Sequence, residues 1–203
     1  MIYLNMSRTR CKKVFLKELI ILKENSFLKK LYIGRMFIIL FFLVSLMVMK
    51  IYENIFQTYS NGAGTLDMRL SYNGSDIYQL FESLGTGGRK VYIQIWCVDA
   101  VFIVCFALIQ NYLIKWIMGK EMLNSKWRFV LSVPYLRALF DLVEDIMLFI
   151  LLINFPSKFI RLGKISGVIT SIKFVWLGIW CFSIPILILS RKRLYGGGYK
   201  CNQ

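Results

Sequence analysis

Between Phe129 and Phe155 the chain is apolar enough to cross a bilayer, yet it carries Arg137, Asp141, Glu144 and Asp145. Ionisable groups in hydrocarbon are costly, so a helix that bears four of them must turn them toward other parts of the protein. A lone span cannot do that, whereas a bundle can. On an α-helix these four side chains fall within a sector of roughly 100°, which leaves one polar face and one apolar face.

Three further stretches reach membrane length, which takes about 20 helical residues for a hydrocarbon core of about 30 Å. The four spans are placed near 33–55, 91–118, 129–155 and 165–190. With 57% hydrophobic residues and a mean hydropathy of +0.57, the composition lies outside the soluble range. The expectation is an all-α polytopic membrane protein with four transmembrane helices in one bundle. Residues 1–32 are expected to be a basic amphipathic cytoplasmic segment, read either as a helix on the inner leaflet or as a mobile leader, with 33–190 the membrane bundle and 191–203 a flexible basic cytoplasmic tail.

Orientation follows from Lys and Arg. Arg8, Arg10, Lys12, Lys13, Lys17, Lys23, Lys29, Lys30 and Arg35 precede or open span one. Lys115, Lys120, Lys126 and Arg128 surround the connection between spans two and three, and Arg191, Lys192, Arg193 and Lys200 follow span four. Four crossings put these groups on one side, facing a side where Lys50, Arg69, Arg89 and Lys90 are offset by Glu53, Asp67, Asp76 and Glu82. The turn with Lys158, Arg161 and Lys164 weakens this asymmetry without reversing it. The chain is therefore read as a multi-pass cell-membrane protein with both termini cytoplasmic. Its net charge of +15 reflects topology and attraction to anionic inner-leaflet lipid. Because these charges flank hydrophobic segments, nucleic acid is not an expected partner; protein partners within the membrane are. A cleavable secretion signal is disfavoured, since the basic region is long and no small-residue cleavage pair closely follows Met49.

Cys11, Cys97, Cys105, Cys181 and Cys201 form no CxxC pair and no zinc-like spacing. Histidine is absent, which removes imidazole metal sites, His-based triads and imidazole relays. No metal and no cofactor is expected. Acid–base chemistry would have to run on carboxylates, Tyr, Lys or water, and with no catalytic signature the reading leans away from an enzyme.

Between spans one and two, Tyr59-Ser60-Asn61-Gly62-Ala63-Gly64 reads as loop, and Ile77, Leu80, Phe81 and Leu84 share a face of a helix from Ser75 to Leu84. Ser75 suits its start and Gly85 its stop, with Gly87 and Gly88 allowing a turn into span two. This short helix is expected to lie across the extracytoplasmic mouth, where Arg69, Arg89 and Tyr92 form a candidate set.

The order Asp67-x-Arg69, Leu84-Gly85-x-x-Gly88-Arg89-x-x-Tyr92, Asp99-x-x-Phe102 and Asp141-x-x-Glu144 resembles a family of small uncharacterised bacterial four-helix integral membrane proteins, over roughly residues 65 to 190. That family tends to carry proline, tyrosine and asparagine where this chain has Ile103, Phe106 and Asp145. The resemblance implies four spans and no activity.

Helical rise places Asp99, Asp145 and Lys173 at one level, about 12–15 Å from the outer ends of their spans, with Arg137 and Gln110 deeper, at about 27–28 Å. A polar seam of Asp99, Gln110, Arg137, Asp141, Glu144, Asp145 and Lys173 follows, to which Ser166 and Thr170 can add hydroxyls. Pairs such as Arg137 with Asp141, or Lys173 with Asp99, would fix helix register. Four carboxylates against two bases leave an excess that a low-dielectric site resists, so the seam calls for a proton, a cation or a ligand. Three functions fit: a binding or transport component that admits a proton, cation or amphiphile; a structural or regulatory subunit whose buried charges only fix packing; and a lipid-modifying enzyme that uses Asp141 or Glu144 as general base.

Overall fold

The computed structural model describes residues 26–122 and 126–196, and every regular element among them is helical. Most of the basic N-terminal segment and the end of the C-terminal tail lie outside the described residues. The helices are α1 (Ser26–Tyr59), α2 (Gly74–Met122), α3 (Val133–Ile153) and α4 (Ile160–Gly196), with short 3-10 turns at Leu66–Met68 and Lys126–Ser132. Two compact units divide between Leu40 and Phe41. The first contributes only the opening of α1 to the described residues.

Among the described residues, three helical stretches are long and apolar enough to cross a membrane: Tyr32–Tyr59, Gly74–Gly119 and Ile160–Arg191. The 21 residues of α3 are also long enough, but its four ionisable residues set it apart. Pro134 sits in the first turn of α3, where its missing N–H loses nothing, so the helix starts at Val133 and the preceding residues form a 3-10 turn. At the far end α4 stays helical through Gly196, six residues beyond Ser190, where the span was expected to end.

The short helix before span two is present as the opening of α2, but two of its details differ from expectation. Its start is at Gly74, where the Asp76 carboxylate accepts from the Asn73 backbone N–H (2.8 Å) in the manner of a capping box, a role assigned above to Ser75. The turn falls at Gly85 alone, whose φ of 58° and ψ of −167° suit only glycine. Gly87 and Gly88 are helical, and what they supply is room: a Cβ at Gly88 would lie 2.8 Å from Tyr59 Cβ.

Within the second unit the less exposed side of α1 carries Phe42, Ser45, Met49, Tyr52 and Phe56, spaced three and four residues apart along one helical face. Phe42 stacks on Phe102 and Phe106 at 5.3 and 5.8 Å, and Phe56 meets Tyr92 at 4.9 Å, so the two helices run antiparallel. Much of the rest of α1 is bare, with Leu43, Val44, Met47 and Ile51 exposed. Such a face suits lipid.

Helices α2, α3 and α4 enclose three apolar clusters. The largest gathers Leu66 and Tyr72 of the α1–α2 connection with Ile77, Phe81, Tyr92, Trp96, Leu148 and Leu151. A small middle cluster holds Ile103, Ala107 and Ala138, and a third holds Ile114, Met118, Val130 and Leu187. The connection is thus part of the core. Its backbone runs flush against α4 because Gly163 and Gly167 lie a helical turn apart on the facing side, in a small-xxx-small arrangement. A Cβ on Gly167 would fall 2.1 Å from the Tyr72 carbonyl oxygen.

Candidate functional site

Between the first and second clusters, at Asp99 on α2 and from Arg137 to Asp145 on α3, the core turns polar. All four ionisable residues of α3 point inward, with Glu144 fully buried and Arg137, Asp141 and Asp145 nearly so. The outward side chains of α3 include Leu139, Ile146, Phe149, Ile150 and Ile153. The polar face read from helical spacing is therefore the face packed against α2 and α4.

One half of this layer is a closed ladder. Arg137 Nη1 lies 3.1 Å from Asp141 Oδ2, and Lys173 Nζ lies 2.8 Å from Asp141 Oδ1 and 2.7 Å from Glu144 Oε2. The other Glu144 oxygen accepts from the Tyr72 hydroxyl (2.9 Å) and the Thr170 hydroxyl (2.5 Å), and Ser166 Oγ sits 2.7 Å from the Tyr72 oxygen. Burial, then the Glu144 charge, pushes the Tyr72 phenol well above its ordinary range, so it serves as a donor at any physiological pH. Arg137 also lays its guanidinium over the Phe106 ring at 4.7 Å, a favourable cation–π contact. Two bases and two carboxylates make the ladder neutral.

Lys173 thus pairs with Asp141 and Glu144, where counting along the spans paired it with Asp99. Equal depth says nothing of which way a side chain faces around its helix, and the Asp141–Glu144 edge of α3 is what α4 packs against. Asp99 instead neighbours Asp145. Two carboxylates that close repel unless a proton or a cation sits between them. No donor among the described residues reaches either Asp145 oxygen.

A fifth carboxylate joins them. Asp67, in the 3-10 turn of the connection, is 7% exposed and keeps Oδ1 without a partner. Burial raises its carboxyl above the usual range, while Lys173 and a hydrogen bond from Thr65 pull it part of the way back. Sequence reading placed Asp67 among the surface charges of a loop; the signal against that was Leu66 beside it and Tyr72 beyond it, apolar and aromatic residues that a solvated loop does not need. Tyr72 was missed for the same reason.

Asp67, Asp99, Arg137, Asp141 and Lys173 share the wall of a cavity of about 380 Å³, completed by apolar side chains that include Leu46, Met49, Phe102, Phe174 and Leu177. Lys50 and Glu53 lie at its rim, paired to each other at 2.9 Å.

The other expected site residues are dispersed. Gln110 is buried with neither side-chain polar atom hydrogen-bonded, and it does not line the cavity. Arg69 donates to the Gly64 carbonyl (3.3 Å), and Arg89 lies over the Phe155 ring at 4.6 Å. Tyr92 is wholly buried and accepts the Leu66 N–H (3.0 Å), pinning the turn that carries Asp67. Each of these three holds a different piece of backbone or ring in place.

No family model matches the chain, and no curated protein or solved structure matches it either.

Proposed function

We propose that this chain is a four-span membrane protein that binds a proton, cation or amphiphile in the charged cavity between its helices. Three long apolar helices support membrane residence. The fourth crossing rests on α3, whose charges turn inward while its exposed residues are largely apolar, as a lipid-facing helix requires. A chain that crosses in α2 and again in α4, with α3 packed between, must return through α3. With the basic flanks held on one side, both termini are cytoplasmic, anionic inner-leaflet lipid is a partner, and the helix before Gly85 is extracytoplasmic.

The observation that carries the binding reading is the cavity lined by Asp67 and Asp99, because the ladder beside it is already neutral and leaves these acids without a base. The test is thermal melting of the purified chain in detergent against pH, alkali cations, lipophilic cations and anionic lipids, with Met49→Trp as a cavity-filling variant. At least one addition should shift the wild-type melting point and leave the filled variant unmoved. Equal responses in both proteins, or none in either, would remove the reading.

The structural-subunit reading draws on the ladder itself, a neutral unit that locks α3 to α4. It accounts for Arg137, Asp141, Glu144 and Lys173, but not for Asp67, Asp99 and Asp145. The lipid-modifying reading is the least supported: a general base must reach a substrate with a free oxygen, yet Glu144 is fully buried with both oxygens engaged, and Asp141, though it lines the cavity, has one oxygen on Arg137 and the other on Lys173.

A further inference from the structure

Resting on the binding reading, we propose that the occupant of the cavity is an amphiphile with a primary ammonium head, held by Asp67 and Asp99, whose alkyl chain lies along Leu46, Met49, Phe174 and Leu177. Charge decides the sign of the head. Arg137 and Lys173 also line the cavity, but each is committed to carboxylates at 2.7 to 3.1 Å, and rim Lys50 is matched by Glu53. Among the described buried residues, Asp67, Asp99, Asp141, Glu144 and Asp145 stand against Arg137 and Lys173. An arriving anion meets that surplus of acids, whereas an arriving cation neutralises part of it.

Hydrogen bonding decides the kind of cation. Asp67 Oδ1 is buried without a donor, a state that costs free energy until an N–H reaches it. A primary ammonium brings three N–H donors, enough for both aspartates, and a quaternary ammonium brings none. The remaining wall is apolar or aromatic, with Phe102 and Phe174 beside the acids, and suits a chain and a cationic head together. Asp67 sits in the turn that Tyr92 pins through Leu66, so its carboxylate is held in place before any ligand arrives.

The experiment uses the full chain in maltoside micelles at pH 7, titrated calorimetrically with dodecylammonium, dodecyltrimethylammonium, dodecyl phosphate and dodecanol. Dodecylammonium should bind tightest, and Asp67→Asn and Asp99→Asn should each weaken it by about ten- to a hundredfold, the worth of a charge-assisted hydrogen bond. Circular dichroism and gel filtration of each variant check that it is folded, and Met49→Trp serves as a second, charge-preserving block that should also abolish binding. If dodecyltrimethylammonium binds as well as the primary amine, the N–H requirement is wrong and the proposal falls. If dodecyl phosphate or dodecanol binds as tightly and Met49→Trp still blocks it, the cavity reading survives and the cationic class does not. Should no amphiphile bind and melting be insensitive to every addition, both fall.

Discussion

Replacing Lys173 by methionine removes the one cation that Asp141 and Glu144 share, at 2.8 and 2.7 Å. Asp141 keeps Arg137 at 3.1 Å, so its loss is partial. Glu144 is left a buried carboxylate supported only by the hydroxyls of Tyr72 and Thr170. Breaking one side of a buried pair costs about 3–5 kcal/mol because the partner charge is left uncompensated. At about 2–4 °C per kcal/mol for a chain of this size, Lys173→Met should lower Tm by about 6–20 °C. Adding Glu144→Gln removes the stranded charge while keeping an acceptor for the two hydroxyls, so the double variant should recover about half of the loss. Adding Asp99→Asn to Lys173→Met should recover little, because Asp99 neighbours Asp145. The assay is tryptophan fluorescence melting, in one detergent, of wild type, Lys173→Met, the two double variants, and the Glu144→Gln and Asp99→Asn single variants that complete the cycles. Strict additivity in the Glu144 cycle, or a stronger rescue through Asp99, would show that the ladder does not hold α3 to α4 in this register.

Three smaller experiments probe the frame around the site. Because native Asp67 binds its proton more tightly than the unfolded chain does, its ionisation withdraws stability as pH rises from its ordinary value of 3.8 through the raised native one; Asp67→Asn should therefore gain on wild type as pH increases across that window, and a pH-independent difference in Tm would contradict the burial of this group. Gly167→Ala, whose Cβ would press on the Tyr72 carbonyl at 2.1 Å, should cost about 1–3 kcal/mol or more, while Gly178→Ala, with nothing within 4 Å, should be neutral or gain about 0.5–1 kcal/mol; melting both variants tests the flush contact with α4. Tyr92→Phe leaves the buried Leu66 N–H without its acceptor and should lower stability by about 1–3 kcal/mol, with faster amide exchange at Leu66 as the local sign; unchanged exchange there would separate Tyr92 from the turn.

Apolar length and helical period belong to the sequence, and they were enough to place an all-helical chain with membrane-length helices, to put Arg137, Asp141, Glu144 and Asp145 on one face of α3, and to join Arg137 to Asp141, a pair four residues apart on one helix. Such features repeat every few residues along one element, so they need no knowledge of its neighbours. Partnership between elements is different in kind. Whether Lys173 meets Asp99 or Glu144 depends on how α4 is rotated about its own axis, and that rotation is set by Gly163 and Gly167 seating against the backbone from Tyr72 to Gly74. The same contact draws the α1–α2 connection into the core, which is why Asp67 and Tyr72, unremarkable in a loop, belong to the charged layer. Helical period within one element shows which charges must turn inward, because an unpaired charge is expensive in apolar surroundings; which of them share a partner, and that Asp67 and Asp99 line the cavity beside Asp141 without a base of their own, emerges from packing, because side-chain direction is a property of assembled helices.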